Sequence, residues 1–316
     1  MKKFACIFPG QGSQAVGMAN HLMGDPLSAD VFQETNQALG FNLVKVMVEG
    51  PEEDLTLTVN AQPAILATSF AAWKHLIRAL GGDAICAYVA GHSLGEFTAL
   101  AATGALELKS AIKLVRKRGQ LMQTAVPTGE GAMAALLGGD EEDGVRRLLG
   151  VVAEGDALDI ANLNSPGQTV ISGAATAVKR AMEKAEEFGF KRAVELNVSA
   201  PFHSRLMAPA REKFAEELKD IKFMVPFCPV IHNVTAQPNT DPLAMPDLLA
   251  RQVESPVRWV ETVRYMLSRG VEAFVEVGHG TVLQGLVKKI AGKDFGGLIT
   301  GFSTPEDASW IREALE

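Results

Sequence analysis

Apolar positions along this chain follow two rhythms. Short continuous apolar runs, Lys3–Phe8, Ala84–Ala90, Pro226–Asn233 and Ala273–Val277, read as strands buried on both faces. Longer segments place apolar residues at helical spacing: Gln62–Leu80, closed by Gly81-Gly82, an alanine-rich stretch from Glu96 to about Ala102, and Ser110–Ala125. Two of the strands run straight into glycine-rich turns. Lys3–Phe8 stops at Pro9-Gly10-Gln11-Gly12-Ser13-Gln14, and Ala273–Val277 passes through Gly278-His279-Gly280 into a helix. The middle of the chain differs. There the pattern predicts strand Ala132–Leu137, helix Asp140–Leu149, strands Ala157–Leu163 and Thr169–Ser172 joined through Asn164-Ser165-Pro166-Gly167, helix Ala174–Phe188 and strand Lys191–Val198. That βαββαβ order is the ferredoxin-like unit, and strand–helix alternation resumes after it. The expected architecture is α/β: a parallel-sheet domain of residues 1–127 and 199–316, interrupted by a ferredoxin-like subdomain of residues 128–198, with a ligand cleft between them.

Composition narrows the functional classes. Of 316 residues, 47% are hydrophobic and 21% charged, the balance of a soluble globular chain with a sizeable core. No apolar run is long enough to cross a bilayer, and Met1–Pro9 reads as a first strand, not a signal peptide, so a cytoplasmic protein is expected. A net charge of −7 argues against general nucleic-acid binding but leaves room for a local basic patch. Cys6, Cys86 and Cys228 are far apart in sequence with no pair spacing, which predicts neither a disulfide framework nor a zinc site and fits a reducing compartment. No metal-ligand spacing is visible, and the Gly10–Ser13 turn lacks the lysine of a phosphate-binding loop.

Chemistry enters at Gly91-His92-Ser93-Leu94-Gly95, a G-x-S-x-G pattern between a strand and a helix. In that context the glycines allow a sharp turn that lifts the serine hydroxyl off the sheet, and the helix N-terminus favours developing negative charge. The competing reading is a serine that merely caps the helix. A serine nucleophile needs a base, and there are six histidines; His203 lies in a turn after a strand and can reach a cleft, whereas His92 is expected to point away from Ser93 and pack. Asp140, Asp143, Asp156 and Asp159 stay open as a third triad member. In the helix Ser110–Ala125, Ala111, Leu114, Val115, Leu121, Met122 and Ala125 share the apolar face, and Arg118 is the only charged residue among them. A guanidinium is costly to bury unpaired, so it needs an anion, either an internal carboxylate or a substrate's.

Taken together, Gly91-His92-Ser93-Leu94-Gly95-Glu96, Phe8-Pro9-Gly10-Gln11-Gly12-Ser13-Gln14, Gln62-Pro63-Ala64, Asn164-Ser165-Pro166-Gly167-Gln168, Pro201-Phe202-His203-Ser204 and Glu276-Val277-Gly278 resemble, in order and spacing, the malonyl-CoA:acyl carrier protein transacylases and the acyltransferase domains of polyketide synthases. The resemblance implies a hydrolase-like α/β domain with an inserted ferredoxin-like subdomain, and malonyl transfer from malonyl-CoA to acyl carrier protein; no cofactor or metal is expected, and a monomer is expected although the sequence does not give the oligomeric state. It implies Ser93 as nucleophile, His203 as base oriented by a main-chain carbonyl near Gln252 in place of an acid, and Leu94 N–H with Gln11 as oxyanion hole. Arg118 would hold the malonyl carboxylate, Phe202 would favour malonyl over methylmalonyl, and Asn164, Met133 and Gln252 would line the substrate. Lys191, Arg192, Lys288 and Lys289 would dock the acidic carrier protein. One departure is His279, where the family has proline between the two glycines; it is expected to be a neutral loop substitution. A hydrolase using the same Ser93 and His203, and a catalytically dead carrier-binding scaffold, are the competing readings.

Overall fold

The computed structural model describes residues 1–82, 86–139, 142–198 and 200–316. Ten strands, β1 Phe4–Phe8, β2 Tyr88–Gly91, β3 Gly131–Leu137, β4 Leu158–Ser165, β5 Gln168–Ala174, β6 Arg192–Glu195, β7 Val230–Ile231, β8 Pro238–Asn239, β9 Ala273–Val277 and β10 Leu298–Phe302, form two sheets among these residues.

The larger sheet runs β10-β9-β1-β2-β7-β8 and is parallel except for the β7–β8 edge pair. Its centre is β1, all five residues of which are buried. Alternate side chains of one strand feed opposite faces: Phe4, Cys6 and Phe8 join one apolar core, while Ala5 and Ile7 join a second behind the sheet with Trp259, Phe274 and Leu286. A parallel sheet must be covered on both faces, which is why these strands read as unbroken apolar runs.

The smaller sheet, order β4-β5-β3-β6, is wholly antiparallel and carries the expected βαββαβ order, with helices Glu142–Val152 and Ala175–Lys184. One face of β3 sends Ala134 and Leu136 under those helices, and the other sends Met133 and Ala135 into the core of the larger body. The parallel sheet with an inserted ferredoxin-like unit is therefore present as expected.

Several elements differ from the sequence reading. The apolar run 226–233 yields only the two residues of β7; Pro226 and Pro229 have no N–H to give a ladder, and Phe227 is exposed. The helix expected from apolar spacing at Gln62 starts earlier, at Thr58, and holds Pro63 inside it. The last predicted strand of the insertion ends at Glu195, and Leu196–Val198 turn toward the cleft. Ala84, Ile85, Asp140 and Ser199, which fall in or at the edges of predicted elements, lie outside the described residues. The cysteines are remote in sequence yet converge: Cys86 and Cys228 precede the neighbouring strands β2 and β7, and their buried Sγ atoms lie 3.1 Å apart as free thiols.

Candidate active site

β1 and β2 end side by side, and the chain leaves β2 through a turn with no room for side chains at either glycine. A Cβ on Gly91 would lie 1.9 Å from the Gly95 carbonyl, and one on Gly95 would lie 2.1 Å from the Phe8 carbonyl oxygen. The turn forces Ser93 to φ 50, the left-handed region, before the helix Gly95–Ala102 begins. Such a conformation costs on the order of 1–3 kcal/mol in a non-glycine residue and persists only when its surroundings hold it. Here the Ser93 N–H donates to Asn233 Oδ1 at 2.7 Å, and Gln252 Nε2 donates to the Ser93 carbonyl at 2.8 Å. His203 is also left-handed, at φ 57.

The two side chains meet. Ser93 Oγ lies 2.7 Å from His203 Nε2, across 110 residues of sequence. His203 Nδ1 faces the carbonyl oxygens of Gln252 at 2.9 Å and Ser255 at 3.1 Å. Carbonyls only accept, so Nδ1 carries the proton and Nε2 is left to accept the serine O–H. Burial first, then the neighbouring Arg118 cation, lowers the His203 pKa to about 3, so the ring is neutral at physiological pH. A neutral imidazole hydrogen-bonded to a serine on a strained strand–helix turn can deprotonate it for attack on a carbonyl.

Arg118 completes the constellation. Its side chain is 1% exposed. Nη2 donates to Ser93 Oγ at 3.0 Å and to Gln252 Oε1 at 2.8 Å, and Nη1 donates to Gln62 Oε1 at 3.0 Å. All three acceptors are neutral, and Nε has no partner among the described residues. Burial lowers the Arg118 pKa to about 10, still charged at neutral pH. A guanidinium aimed at the nucleophile without a carboxylate in contact is shaped to receive an anionic group from outside.

Ser93, His203 and Arg118 line a cavity of about 400 Å³ together with Gln11, Met133, Phe202 and Asn162. The Leu94 N–H stands at the start of the following helix, where the helix dipole favours an oxyanion.

A model of the acyl transferase domain family matches residues 5–295. The chain belongs to the acyl transferase family. It is 47% identical, over 92% of its length and 91% of the relative's, to the malonyl CoA-acyl carrier protein transacylase of Bacillus subtilis. The solved malonyl CoA-acyl carrier protein transacylase of Coxiella burnetii superimposes with a TM-score of 0.95 at 40% identity, covering 99% of this chain and 98% of that one. A solved malonyl-transacylase in complex with a type II PKS acyl-carrier protein matches with a TM-score of 0.92 at 41% identity, covering 98% of this chain and 99% of that one.

Against the positions expected from the acyl transferase pattern, most residues converge and a few do not. Asn164 is not on the cavity wall; its Oδ1 bonds His92 Nε2 at 2.8 Å, and Asn162, two residues earlier on β4, lines the cavity. His92 packs against Trp259, as expected, though it also borders the cavity. Gln252 acts through both its main-chain carbonyl and its side chain, and neither belongs to the cavity lining. Among the described candidate acids none hydrogen-bonds His203: Asp159 pairs with Arg205, Asp156 with Arg180, and Asp143 sits on the first turn of Glu142–Val152; Asp140 lies outside the described residues. His279 Nδ1 donates to the Ser13 carbonyl at 2.8 Å and so ties its loop to the Gly10–Ser13 turn. Lys191, Arg192, Lys288 and Lys289 are exposed, and Lys289 reaches Gln168, which with Arg192 flanks Leu137 of β3 on either side.

Sequence reasoning missed Gln62 as an Arg118 partner, and it gave Asn233 and Glu96 no role in the site, though Glu96 closes the quoted elbow motif. Glu96 carried a signal of the kind that exposed Arg118: it is the one charge in a helix whose eight residues are all buried. Asn233, at the end of an apolar run, carried none.

Proposed function

We propose that this acyl transferase moves a malonyl group from malonyl-CoA to the phosphopantetheine thiol of acyl carrier protein, through a malonyl ester on Ser93, for fatty acid or polyketide synthesis. The observation that carries the reading is Arg118: a buried cation, 3.0 Å from the serine hydroxyl, with only neutral protein partners. It favours an acyl group ending in a carboxylate. The relatives' names, malonyl CoA-acyl carrier protein transacylase, support the same substrate, and the neighbour solved with its acyl-carrier protein supports the acceptor.

In this reading His203 Nε2 takes the Ser93 proton as Oγ attacks the thioester carbonyl. The oxyanion rests on the Leu94 N–H and Gln11. Collapse breaks the C–S bond, and His203 returns the proton to the departing coenzyme A thiolate. The carrier thiol then gives its proton to His203, attacks the serine ester, and Ser93 leaves with that proton. A thioester is already activated, so a histidine oriented by carbonyls suffices where an amide would call for an acid. The chemistry asks for no cofactor. Residues 1–127 and 199–316 serve as the catalytic body and residues 128–198 as the smaller body beside the cleft; the setting is the cytoplasm. A hydrolase would use the same pair with water. Equal amounts of malonyl-carrier protein and free CoA are expected from a mixture of malonyl-CoA and carrier protein, whereas free malonate released at the same rate would favour the hydrolase.

Phe202, 7% exposed beside His203 and on the cavity wall, would crowd an α-methyl branch. A clash of one methyl group is worth about 1–3 kcal/mol, so kcat/KM for malonyl-CoA is expected to exceed that for methylmalonyl-CoA by roughly 10–200-fold. Competition between the two esters checks this, and equal values would remove Phe202 from the assignment.

Lys191, Arg192, Lys288 and Lys289 would attract an acidic carrier protein to a chain whose net charge of −7 otherwise repels it. Reversing all four to glutamate is expected to raise KM for carrier protein about tenfold or more at low salt, less at high salt, and to leave acylation by malonyl-CoA within about twofold. Slower acylation would mean that the patch serves coenzyme A.

A further inference from the structure

Arg118 is the buried Lys or Arg side chain among the described residues, and only two of their carboxylates are buried, Glu96 and Glu276. Glu276 is committed to the main-chain N–H groups of Leu283 and Gln284 at the start of the helix Val282–Ala291. Glu96, fully buried, accepts from His232 Nδ1 at 2.6 Å, from the Asn233 N–H at 2.9 Å and from Gln252 Nε2 at 2.8 Å. His232 Nε2 has no hydrogen-bond partner among the described residues. The other half of the same Gln252 amide faces Arg118, with Oε1 accepting from Nη2 at 2.8 Å. A guanidinium cannot accept and a carboxylate cannot donate, which fixes the orientation of that amide. One buried cation and one buried anion are thus joined by a single amide. That amide's residue also supplies the carbonyl that orients His203.

We propose that Glu96 is the internal counter-ion of Arg118, coupled to it through Gln252, and that it sets how strongly the pocket prefers a carboxylated acyl group over an uncharged one. This rests on the reading that Ser93 takes a malonyl ester. With Glu96 ionised, the empty and acetyl-loaded pockets hold a balanced pair of charges. Without it, Arg118 is buried unbalanced unless the acyl group brings its own carboxylate. Glu96 therefore makes the empty site tolerable and tempers the advantage of malonyl over acetyl. It is a positioning residue, since it acts through Gln252 and Arg118 and does not touch the reacting atoms.

The test is a double-mutant cycle of Glu96→Gln, Arg118→Gln and both together, with Tm read on free protein and on protein acylated by malonyl-CoA or acetyl-CoA, the occupancy checked by intact mass. Glu96→Gln is expected to lower the Tm of free protein by roughly 5–10 °C, the scale of an uncompensated buried charge in a chain of this size. Malonylation should recover at least half of that loss and acetylation little of it, while wild type moves by less than about 3 °C with either. The double variant should melt above the sum of the single losses. The malonyl-to-acetyl ratio of kcat/KM in Glu96→Gln should rise about tenfold. An equal loss of Tm in free and malonylated protein, additive cycle energies or an unchanged ratio overturns the proposal and leaves Glu96 structural. If Glu96→Gln alone does not fold, recovery of a folded double variant supports the charge pairing, and failure of the double variant overturns it. If wild type takes no malonyl adduct, the malonyl reading fails by itself, and the cycle on free protein still decides the pairing.

Discussion

Arg118→Ala is expected to lower kcat/KM for malonyl-CoA by about 10²–10³-fold while leaving acetyl-CoA within about threefold of wild type, or raising it. The size follows from truncating one partner of a desolvated charge pair, about 2–5 kcal/mol. The selectivity follows from position. The guanidinium lies 3.0 Å from Ser93 Oγ, within reach of a carboxylate one methylene beyond the ester carbonyl, and its protein partners Gln62, Gln252 and Ser93 are all neutral. Acetyl brings no anion, so it forms no ion pair with the guanidinium and gains nothing from it. Lysine at this site is expected to restore only part of the loss, because it offers a point charge where the planar fork of arginine can bind both carboxylate oxygens. Steady-state rates with the two esters, with circular dichroism to confirm folding, decide the matter. An equal loss on both substrates would make Arg118 a general structural or catalytic element, and the hydrolase reading would regain ground.

His203→Ala is expected to slow acylation by about 10²–10⁴-fold, the usual worth of a positioned general base. The pH dependence is the sharper readout. In the folded chain burial and Arg118 hold the His203 pKa at about 3, below the ordinary imidazole value, so the unprotonated base is fully present above that range and is lost only as pH falls through the depressed pKa. Wild-type kcat/KM is therefore expected to show no acid limb centred near 6.5 and to hold down to pH 5. Removing the Arg118 charge raises the His203 pKa, so in Arg118→Ala, assayed with acetyl-CoA, the acid limb should move toward neutral pH. A wild-type limb near 6.5 would mean that the imidazole is solvated when it acts as base.

What the sequence disclosed and what it hid divide along physical lines. The elbow was legible because strand, turn and helix are contiguous, and because Gly91 and Gly95 are required by close backbone approach within a few residues of Ser93. Arg118 was legible because a charge on an apolar helix face breaks a period. The βαββαβ insertion was legible because its strands show one face to the outer helices and one to the larger core. Sheet order was not legible, since β10, β9, β1, β2 and β7 are joined by long crossovers. Neither was the pairing of Ser93 with His203, which bare spacing could not pick from six histidines and which the family pattern supplied. Asn164 was misplaced because its amide is taken up by His92, a pairing across 72 residues that no residue type announces.

The central claim, a carboxylated acyl group carried on Ser93 and handed to a thiol, is tested most directly by intact mass with peptide mapping. Protein mixed with malonyl-CoA alone is expected to gain one malonyl group on the peptide containing Ser93, to lose it within the time of mixing when phosphopantetheinylated acyl carrier protein is added, and to gain nothing in Ser93→Ala. A malonyl adduct on another residue, or one that persists undiminished in Ser93→Ala, would contradict the account.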